Sequence, residues 1–204
     1  MRYQTAPRPV LNALGSLRQT IEVLDVAVNL IRDSRPKIPN VRLIAIDGPS
    51  GSGKTDFATS LANKLHASVI HLDEIYRGWD GLAETIGLIV EFIGEPLANH
   101  RPIKIPTWDW HNSAPGPLKD IQTKTHIIVE GVGSGSLPVA RFLTTLIWLD
   151  APENIRKERA LARDGEVFAQ HWDAWAASEQ ALWQSDDPKL RADLVFDTTE
   201  FSLH

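Results

Sequence analysis

The sequence predicts an α/β fold, a three-layer α/β/α sandwich on a mainly parallel sheet, and three observations predict it. Short apolar runs alternate with stretches of helical period along the chain. The strongest runs, Leu43-Ile44-Ala45-Ile46, Ile127-Ile128-Val129 and Leu146-Ile147-Trp148-Leu149, are apolar at successive positions, which suits strands covered by helices on both faces. The runs also end in residues suited to ligand chemistry, namely Gly48, Asp73, Glu130 and Asp150. Ligands of parallel sheets bind beyond the carboxyl ends of the strands.

Each element follows in order. Met1–Pro9 carries two prolines and no period, and reads as an irregular arm. From Gly15 to Arg32 the apolar residues Leu17, Ile21, Leu24, Val28 and Ile31 recur at helical spacing, so one amphipathic helix is expected. Pro36 and Pro39 end it, and the first strand runs from Val41 to Asp47. A helix from Lys54 to His66 and a short strand from Ser68 to Leu72 lead into Asp73, and that strand is expected beside the first. The turn Arg77-Gly78-Trp79-Asp80-Gly81 precedes a helix over Leu82–Ile93. Ile103-Lys104-Ile105-Pro106 opens a proline- and tryptophan-rich loop. Strands at His126–Val129 and Leu146–Leu149 follow, the second leading through Pro152 into a helix carrying Arg156, Arg159 and Arg163. A tryptophan-bearing helix over Glu166–Gln184 and a last strand over Ala192–Phe196 complete the chain.

Between the first strand and the first helix after it stands Gly48-Pro49-Ser50-Gly51-Ser52-Gly53-Lys54-Thr55, a complete G-x-x-x-x-G-K-[ST] phosphate-binding loop, or Walker A motif. Glycines at Gly48, Gly51 and Gly53 let the backbone take positive φ and approach an anion closely. Successive N–H groups and the helix N-terminus then point at phosphate. Gly48, Ser50, Gly51, Ser52, Gly53, Lys54 and Thr55 are thus the candidate nucleotide-binding residues, with Lys54 a point charge for the phosphates and the Thr55 hydroxyl a ligand for Mg²⁺.

Composition narrows the classes. With 43% hydrophobic and 23% charged residues in 204, the chain is an ordinary globular protein with room for one core. A net charge of −5 argues against a general nucleic-acid or anionic-membrane surface. The absence of cysteine excludes disulfides, thiolate metal sites and thiol nucleophiles. No apolar run is long enough to span a membrane and the N-terminus is polar, so a cytoplasmic protein is expected.

Phosphoryl transfer needs neutralised phosphates, a metal, an aligned acceptor and a base. Glu130 sits where a strand-terminal acid holds the metal, so Thr55 and Glu130 are the candidate Mg²⁺ residues. Asp73 is the candidate base for an acceptor hydroxyl. Asp150 reads better as a turn or cap residue. Arg156, Arg159 and Arg163 share one helix face. They are either lid arginines over the transferring phosphate or a solvated basic face paired with Glu153 and Glu158. On the acceptor side, Trp108-Asp109-Trp110-His111 offers flat rings, a carboxylate and an imidazole for a small polar ligand, with Trp79 and Asp80 a second such group. The alternative is that these tryptophans pack on the sheet, as Trp148 and Trp172 are expected to do.

Several stretches resemble the uridine kinase-like branch of the P-loop small-molecule kinases, from about Val41 to the last strand. Asp73-Glu74-Ile75-Tyr76 is similar to that family's D-x-F-Y motif, Pro106-Thr107-Trp108-Asp109-Trp110 to its P-x-Y-D-F segment, and Glu130-Gly131 to its E-G pair. Arg156, Arg159 and Arg163, followed by Asp164, fall where its lid carries arginines followed by an Asp, and Ala192-Asp193 is similar to the A-D pair opening its last strand. The resemblance implies a P-loop NTPase sandwich, ATP and Mg²⁺ as cofactors, Asp73, Lys54, Arg159 and Arg163 as catalytic residues, and Tyr76, Trp108, Asp109 and His111 around the acceptor. It also divides the chain into an N-terminal arm and helix packed on the core, residues 1–40, and a P-loop kinase-like domain, residues 41–204.

The loop wording I-D-G-P-S-G-S-G-K-T is instead similar to cytidylate kinase, but the G-R-D-x-G-T type segment of that family is absent. The histidine that recognises the base in uridine kinase would fall on Ser113, and an arginine is absent at Pro115. The expected activity is ATP- and Mg²⁺-dependent phosphorylation of a hydroxyl on a small metabolite, a nucleoside among the candidates. The alternatives are a nucleoside monophosphate kinase and a nucleotide-dependent switch without a small-molecule acceptor. The expected partner is that acceptor, with neither nucleic acid nor membrane.

Overall fold

The fold was obtained as a computed structural model that describes residues 17–200, with side chains described from residue 21. The expected arm Met1–Pro9 and the side chain of Leu17 lie outside the described residues. The centre is β1 (Arg42–Asp47), whose residues Leu43 to Asp47 are all buried. β5 (His126–Glu130) pairs with it on one side and β6 (Leu143–Asp150) on the other, both parallel. β2 (Ser68–His71) adds outside β5, and β7 (Leu194–Asp197) outside β6, giving five parallel strands in the order β2-β5-β1-β6-β7.

Period-two alternation splits the strand side chains between two cores. Ile44, Ile46, Ile128, Ile147 and Leu149 face α1 (Leu17–Asp33) and α2 (Lys54–Leu65), which contribute Val28, Ile31, Phe57 and Leu61. Leu43, Ala45, Ile127, Val129, Leu146 and Trp148 face the other side, where α3 (Leu82–Ile89), α6 (Glu153–Ala169) and α7 (Trp172–Ser185) supply Leu82, Leu88, Ile89, Ala160, Phe168, Trp172 and Trp175. This is the predicted three-layer sandwich. Trp148 and Trp172 are both in the core, as expected. Among the described residues no helix is long and apolar enough to cross a membrane.

The first strand register corrects one expectation. The strand before Asp73 does not neighbour the P-loop strand; β5 lies between them. The reason is in the burial. β5 is buried over its last four residues and takes the inner place, whereas the four-residue β2 is half exposed and suits an edge. The tryptophan-rich loop is a second correction. It forms an antiparallel ribbon of β3 (Ile103–Asp109) and β4 (Ala114–Ile121), with Trp108 opposite Pro115 and Asp109 opposite Ala114. Pro106, Pro115 and Pro117 disguised it, since proline is tolerated in a ribbon with free edges and rarely in a central strand.

Helix boundaries shift for local reasons. The helix from Leu82 continues past Ile89 through a π turn, Val90–Gly94, into α4 (Glu95–Ala98). The helix expected over Glu166–Gln184 is divided. Residues 166–169 close α6, which is interrupted at Gly165 (φ 67°, ψ −152°), and α7 begins afresh at Trp172. Two short helices, α5 (Leu137–Ala140) and α8 (Pro188–Arg191), escaped the periodicity, being a single turn each. In α1 the buried stripe is Val23, Leu24, Ala27, Val28 and Ile31, whereas Ile21 is 47% exposed. Arg42 at the start of β1 donates to the carbonyls of Ile31 and Arg32, satisfying groups that the end of α1 leaves open.

Candidate functional site

The loop of residues 48–53 leaves β1 at Asp47 and feeds α2 at Lys54. Asp47 is fully buried, and its Oδ1 accepts the N–H groups of Gly48 (2.7 Å) and Gly133 (3.1 Å) while Oδ2 accepts that of Gly135 (2.8 Å). It therefore ties the phosphate loop to the loop after β5. Burial pushes its carboxyl up from 3.8 to about 6, against the pull of the amide bonds and Lys54. Gly51 has φ 77°, and a Cβ there would stand 2.1 Å from the carbonyl oxygen of Arg156, so only glycine fits. Gly53, also at positive φ, would place a Cβ in open space. The first turn of α2 has no side-chain cap, so its N–H groups remain available to an anion. Lys54 folds back over the loop and donates to the Pro49 carbonyl at 3.0 Å. The buried Ser52 hydroxyl has no partner in the protein.

A cavity of about 500 Å³ opens over this loop, lined among others by Gly51, Lys54, Thr55, Asp73, Glu130 and Arg159. The Thr55 hydroxyl donates to Glu130 Oε1 at 3.3 Å, and the same oxygen holds His71 Nδ1 at 2.7 Å. That hydrogen bond to Glu130 raises the His71 pKa, with burial opposing it. The pairing fits a hard divalent cation, because Thr55 and Glu130 would offer it a hydroxyl and a carboxylate oxygen beside the phosphate loop. The strand-terminal position of Glu130 at the buried end of β5 holds its carboxylate there. The glycine cradle, free amides and Lys54 in turn fit a nucleotide polyphosphate.

Asp73 follows β2 in a single 3₁₀ turn (Leu72–Glu74) and lines this cavity and a second one of about 560 Å³. Among the described residues its carboxylate has no hydrogen bond or ion pair. Water reaches it from the mouth of the site, but the surrounding walls strip much of its hydration. That desolvation, joined by the nearby Glu130 charge, raises its pKa despite Lys54 and Arg163. A partnerless carboxylate with a raised pKa is equipped to take a proton.

The second cavity is walled by Trp79, Trp110, Val167, Phe168 and Trp175. Trp79 stacks on His171 (4.4 Å between centroids, 13°) and on Phe168 (5.4 Å, 14°), with Trp110 tilted against it at 5.0 Å. Trp110 Nε1 donates to the Asp73 carbonyl at 2.7 Å, so the ribbon is fastened beside the candidate base. Tyr76 lines both cavities, but its hydroxyl is buried and donates to the Val132 carbonyl at 3.0 Å. It offers a ligand its ring and not its proton.

The structure separates three of the expected acceptor residues from this pocket. Trp108, Asp109 and His111 do not line it. Asp109 is exposed and shapes the ribbon turn, its Oδ1 accepting the N–H groups of His111 and Asn112 at 3.0 Å and its Oδ2 the Asn112 amide at 2.8 Å. These bonds, the Asn112 side chain first, hold its carboxyl below the usual range. A short carboxylate before a turn bonds its own backbone more readily than a distant ligand. Asp80 is exposed too and lines neither cavity, whereas Trp79 beside it forms part of the wall.

The three arginines of α6 divide. Arg156 donates through Nε to the Ala151 carbonyl (2.9 Å) and through Nη1 to the Ser50 carbonyl (3.1 Å), bracing the loop from behind without lining either cavity. Arg159 lines the nucleotide cavity while donating to the carbonyls of Thr198 (2.9 Å) and Thr199 (3.0 Å). Arg163 lines both cavities and grips Asp164 through two bonds of 2.8 and 2.7 Å, which raises its pKa. Neither Arg159 nor Arg163 pairs with Glu153 or Glu158; both line the cavity over the phosphate loop, Arg163 from an exposed pair with Asp164. Asp150 is a turn residue and not a cap: it accepts the Ala151 N–H and pairs with Lys189, while Pro152 holds the N-cap place of α6.

Asp47, His71, Phe168, Trp175 and Glu179 belong to the site and were not singled out from the sequence. For Trp175 its spacing from Trp172 along one helix face was a usable signal; for Asp47 and His71, their places at strand ends.

Comparison with known proteins agrees with this architecture. A sequence model of the cytidylate kinase family matches residues 44–89. Cytidylate kinase from Halobacterium salinarum is 27% identical over 162 residues, 79% of this chain and 77% of that protein. tRNA dimethylallyltransferase 2 from Bacteroides fragilis is 51% identical over 45 residues, so the match spans 21% of this chain and only 15% of that protein. A solved structure from Bacillus stearothermophilus described as a possible uridine kinase superposes with TM-score 0.64 at 22% identity, covering 89% of this chain and 99% of that one. A candidate fructose transport system kinase from Silicibacter sp. TM1040 superposes with TM-score 0.57 at 19% identity, covering 86% and 98%. The chain therefore has the fold of the P-loop kinases, and it shares that fold with the possible uridine kinase over 89% of its length.

Proposed function

We propose that the chain is an ATP- and Mg²⁺-dependent kinase that transfers the γ-phosphoryl group of ATP to a hydroxyl of a small metabolite. One observation carries the reading. Asp73, a carboxylate with no partner of its own, lines both the cavity over the phosphate loop and the aromatic-walled cavity beside it. Loop amides and Lys54 hold the polyphosphate, and Thr55 and Glu130 hold the metal, which supplies charge neutralisation at the phosphate oxygens. Asp73 takes the proton of the acceptor hydroxyl as its oxygen bonds to the γ-phosphorus, and the bond from that phosphorus to the bridging oxygen breaks, its electron pair leaving with ADP. Arg159 and Arg163 neutralise charge on the transferring group. Phe168 and Val167, on the last turns of α6, help wall the site from water.

In the acceptor wall the polar atoms of Tyr76, Trp110 and Trp175 are already engaged, which favours a molecule with a flat or apolar body and one reactive hydroxyl. Likeness to the possible uridine kinase makes nucleosides the first compounds to test. A second reading, a nucleoside monophosphate kinase, is favoured by the similarity to cytidylate kinase. It requires arginines for an acceptor phosphate, and the acceptor wall has only Arg163, held by Asp164, while Arg77 is paired with Glu84 at 2.7 Å. ATP consumption measured against nucleosides, nucleoside monophosphates, sugars and hydroxylated vitamins tests these readings. Stimulation by a hydroxyl compound supports the first and stimulation by CMP the second. Slow hydrolysis unmoved by every compound would leave a nucleotide-dependent switch.

A further inference from the structure

Glu179 is a carboxylate 2% exposed to solvent, on α7, beside a site built for anions. Burying a charge there is costly, and its field repels polyphosphate, so its presence needs a compensating role. Its contacts define one. A single oxygen, Oε1, accepts the Ser50 N–H at 2.9 Å, the Ser50 hydroxyl at 2.6 Å and the Trp175 indole N–H at 2.9 Å. The Trp175 N–H also lies 2.9 Å from Ser50 Oγ, and Arg156 holds the Ser50 carbonyl from α6 at 3.1 Å. Ser50 is thus fixed at its amide, its carbonyl and its hydroxyl by groups distant in sequence, and its neighbour Gly51 passes within contact of Arg156.

We propose that Glu179 is a positioning residue for the phosphate loop. It holds Ser50 so that the amides from Gly51 to Thr55 converge on the polyphosphate, and it acts through Ser50 without touching the nucleotide. The inference rests on the reading of this loop as a nucleotide site. The device also ties the loop to the wall of the acceptor pocket, because Trp175 lines both cavities. What the loop requires of residue 179 is an acceptor oxygen at this place, not a negative charge. A glutamine carbonyl meets that requirement, and an alanine leaves the Ser50 and Trp175 donors unpaired.

The test uses the full chain with Glu179→Ala, Glu179→Gln and Ser50→Ala, and reads two quantities: affinity for a fluorescent ADP analogue with Mg²⁺, and amide hydrogen exchange. Glu179→Ala is expected to weaken the analogue roughly tenfold or more, Glu179→Gln to stay within about threefold of the parent, and Ser50→Ala, which keeps the amide bond, to fall between them. Exchange should accelerate in residues 48–56 and remain unchanged in β1 and β5. Unchanged affinity in Glu179→Ala overturns the inference, as does a Glu179→Gln variant as weak as the alanine. Should Glu179→Ala fail to fold, the ordering of Glu179→Gln and Ser50→Ala decides. A parent chain that binds no nucleotide refutes the reading of the loop, and exchange in residues 48–56 then still decides for or against Glu179.

Discussion

Substituting Asp47 by asparagine tests how the phosphate loop is anchored. The fully buried Asp47 carboxyl moves from 3.8 to about 6 on folding, burial being the main cause. A displacement of that size corresponds to about 3 kcal/mol of linkage between ionisation and folding. The sign follows from the direction. The native state holds this proton to higher pH than the unfolded chain, so the group's contribution is fully present below about pH 4 and is lost as pH rises through about 6. Asp47→Asn does not titrate and shares every other group with the parent. The stability difference, parent minus variant, is therefore expected to shrink by about 2–3 kcal/mol between pH 4 and pH 7.5. The variant also turns an amide NH₂ toward a backbone donor, either Gly135 or the pair Gly48 and Gly133, at a further cost of about 1–3 kcal/mol. Urea unfolding of both proteins across that range is the assay. A difference that does not vary with pH would refute the reasoning.

Three further outcomes follow from the site. Gly51→Ala puts a Cβ 2.1 Å from the Arg156 carbonyl oxygen at a positive φ, so the loop must move by about 1 Å and nucleotide affinity, read by calorimetry, should fall at least tenfold. Trp110→Ala, which removes a pocket wall and the bond to the Asp73 carbonyl, should raise the acceptor KM roughly tenfold or more. Asp109→Ala, one residue earlier, should change the acceptor KM less than about threefold and only loosen the turn. Steady-state kinetics of the pair with one acceptor separates the two roles.

The strands and the phosphate loop were legible because their signals are local. A run such as Ile127-Ile128-Val129 declares burial on both faces, and the spacing of Gly48, Gly53, Lys54 and Thr55 declares an anion cradle. Strand order was not local, and β2 fell on the edge beyond β5 because strand length and burial, not succession, decide which strand takes the inner place. The acceptor side was misread where two meanings share one composition. Trp108-Asp109-Trp110-His111 reads as a ligand-binding patch, but only Trp110, just past the end of β3, reaches the pocket, while the Asp109 carboxylate is engaged in the turn. The rest of the wall comes from Trp79 and from Val167, Phe168 and Trp175, the last three placed by the break at Gly165 and the restart at Trp172. Glu179 illustrates the limit: nothing near it in the chain announces a bond to Ser50.

The central claim is that Asp73 joins the two cavities as the base of a phosphoryl transfer. Its most direct test is Asp73→Asn with an acceptor identified by ATP consumption, measuring acceptor-dependent turnover and ADP affinity side by side. The account predicts that turnover falls by about 10²–10⁴-fold while ADP affinity stays within about threefold, because Asp73 acts on the acceptor proton and not on the polyphosphate. Turnover that persists near the parent rate would contradict it.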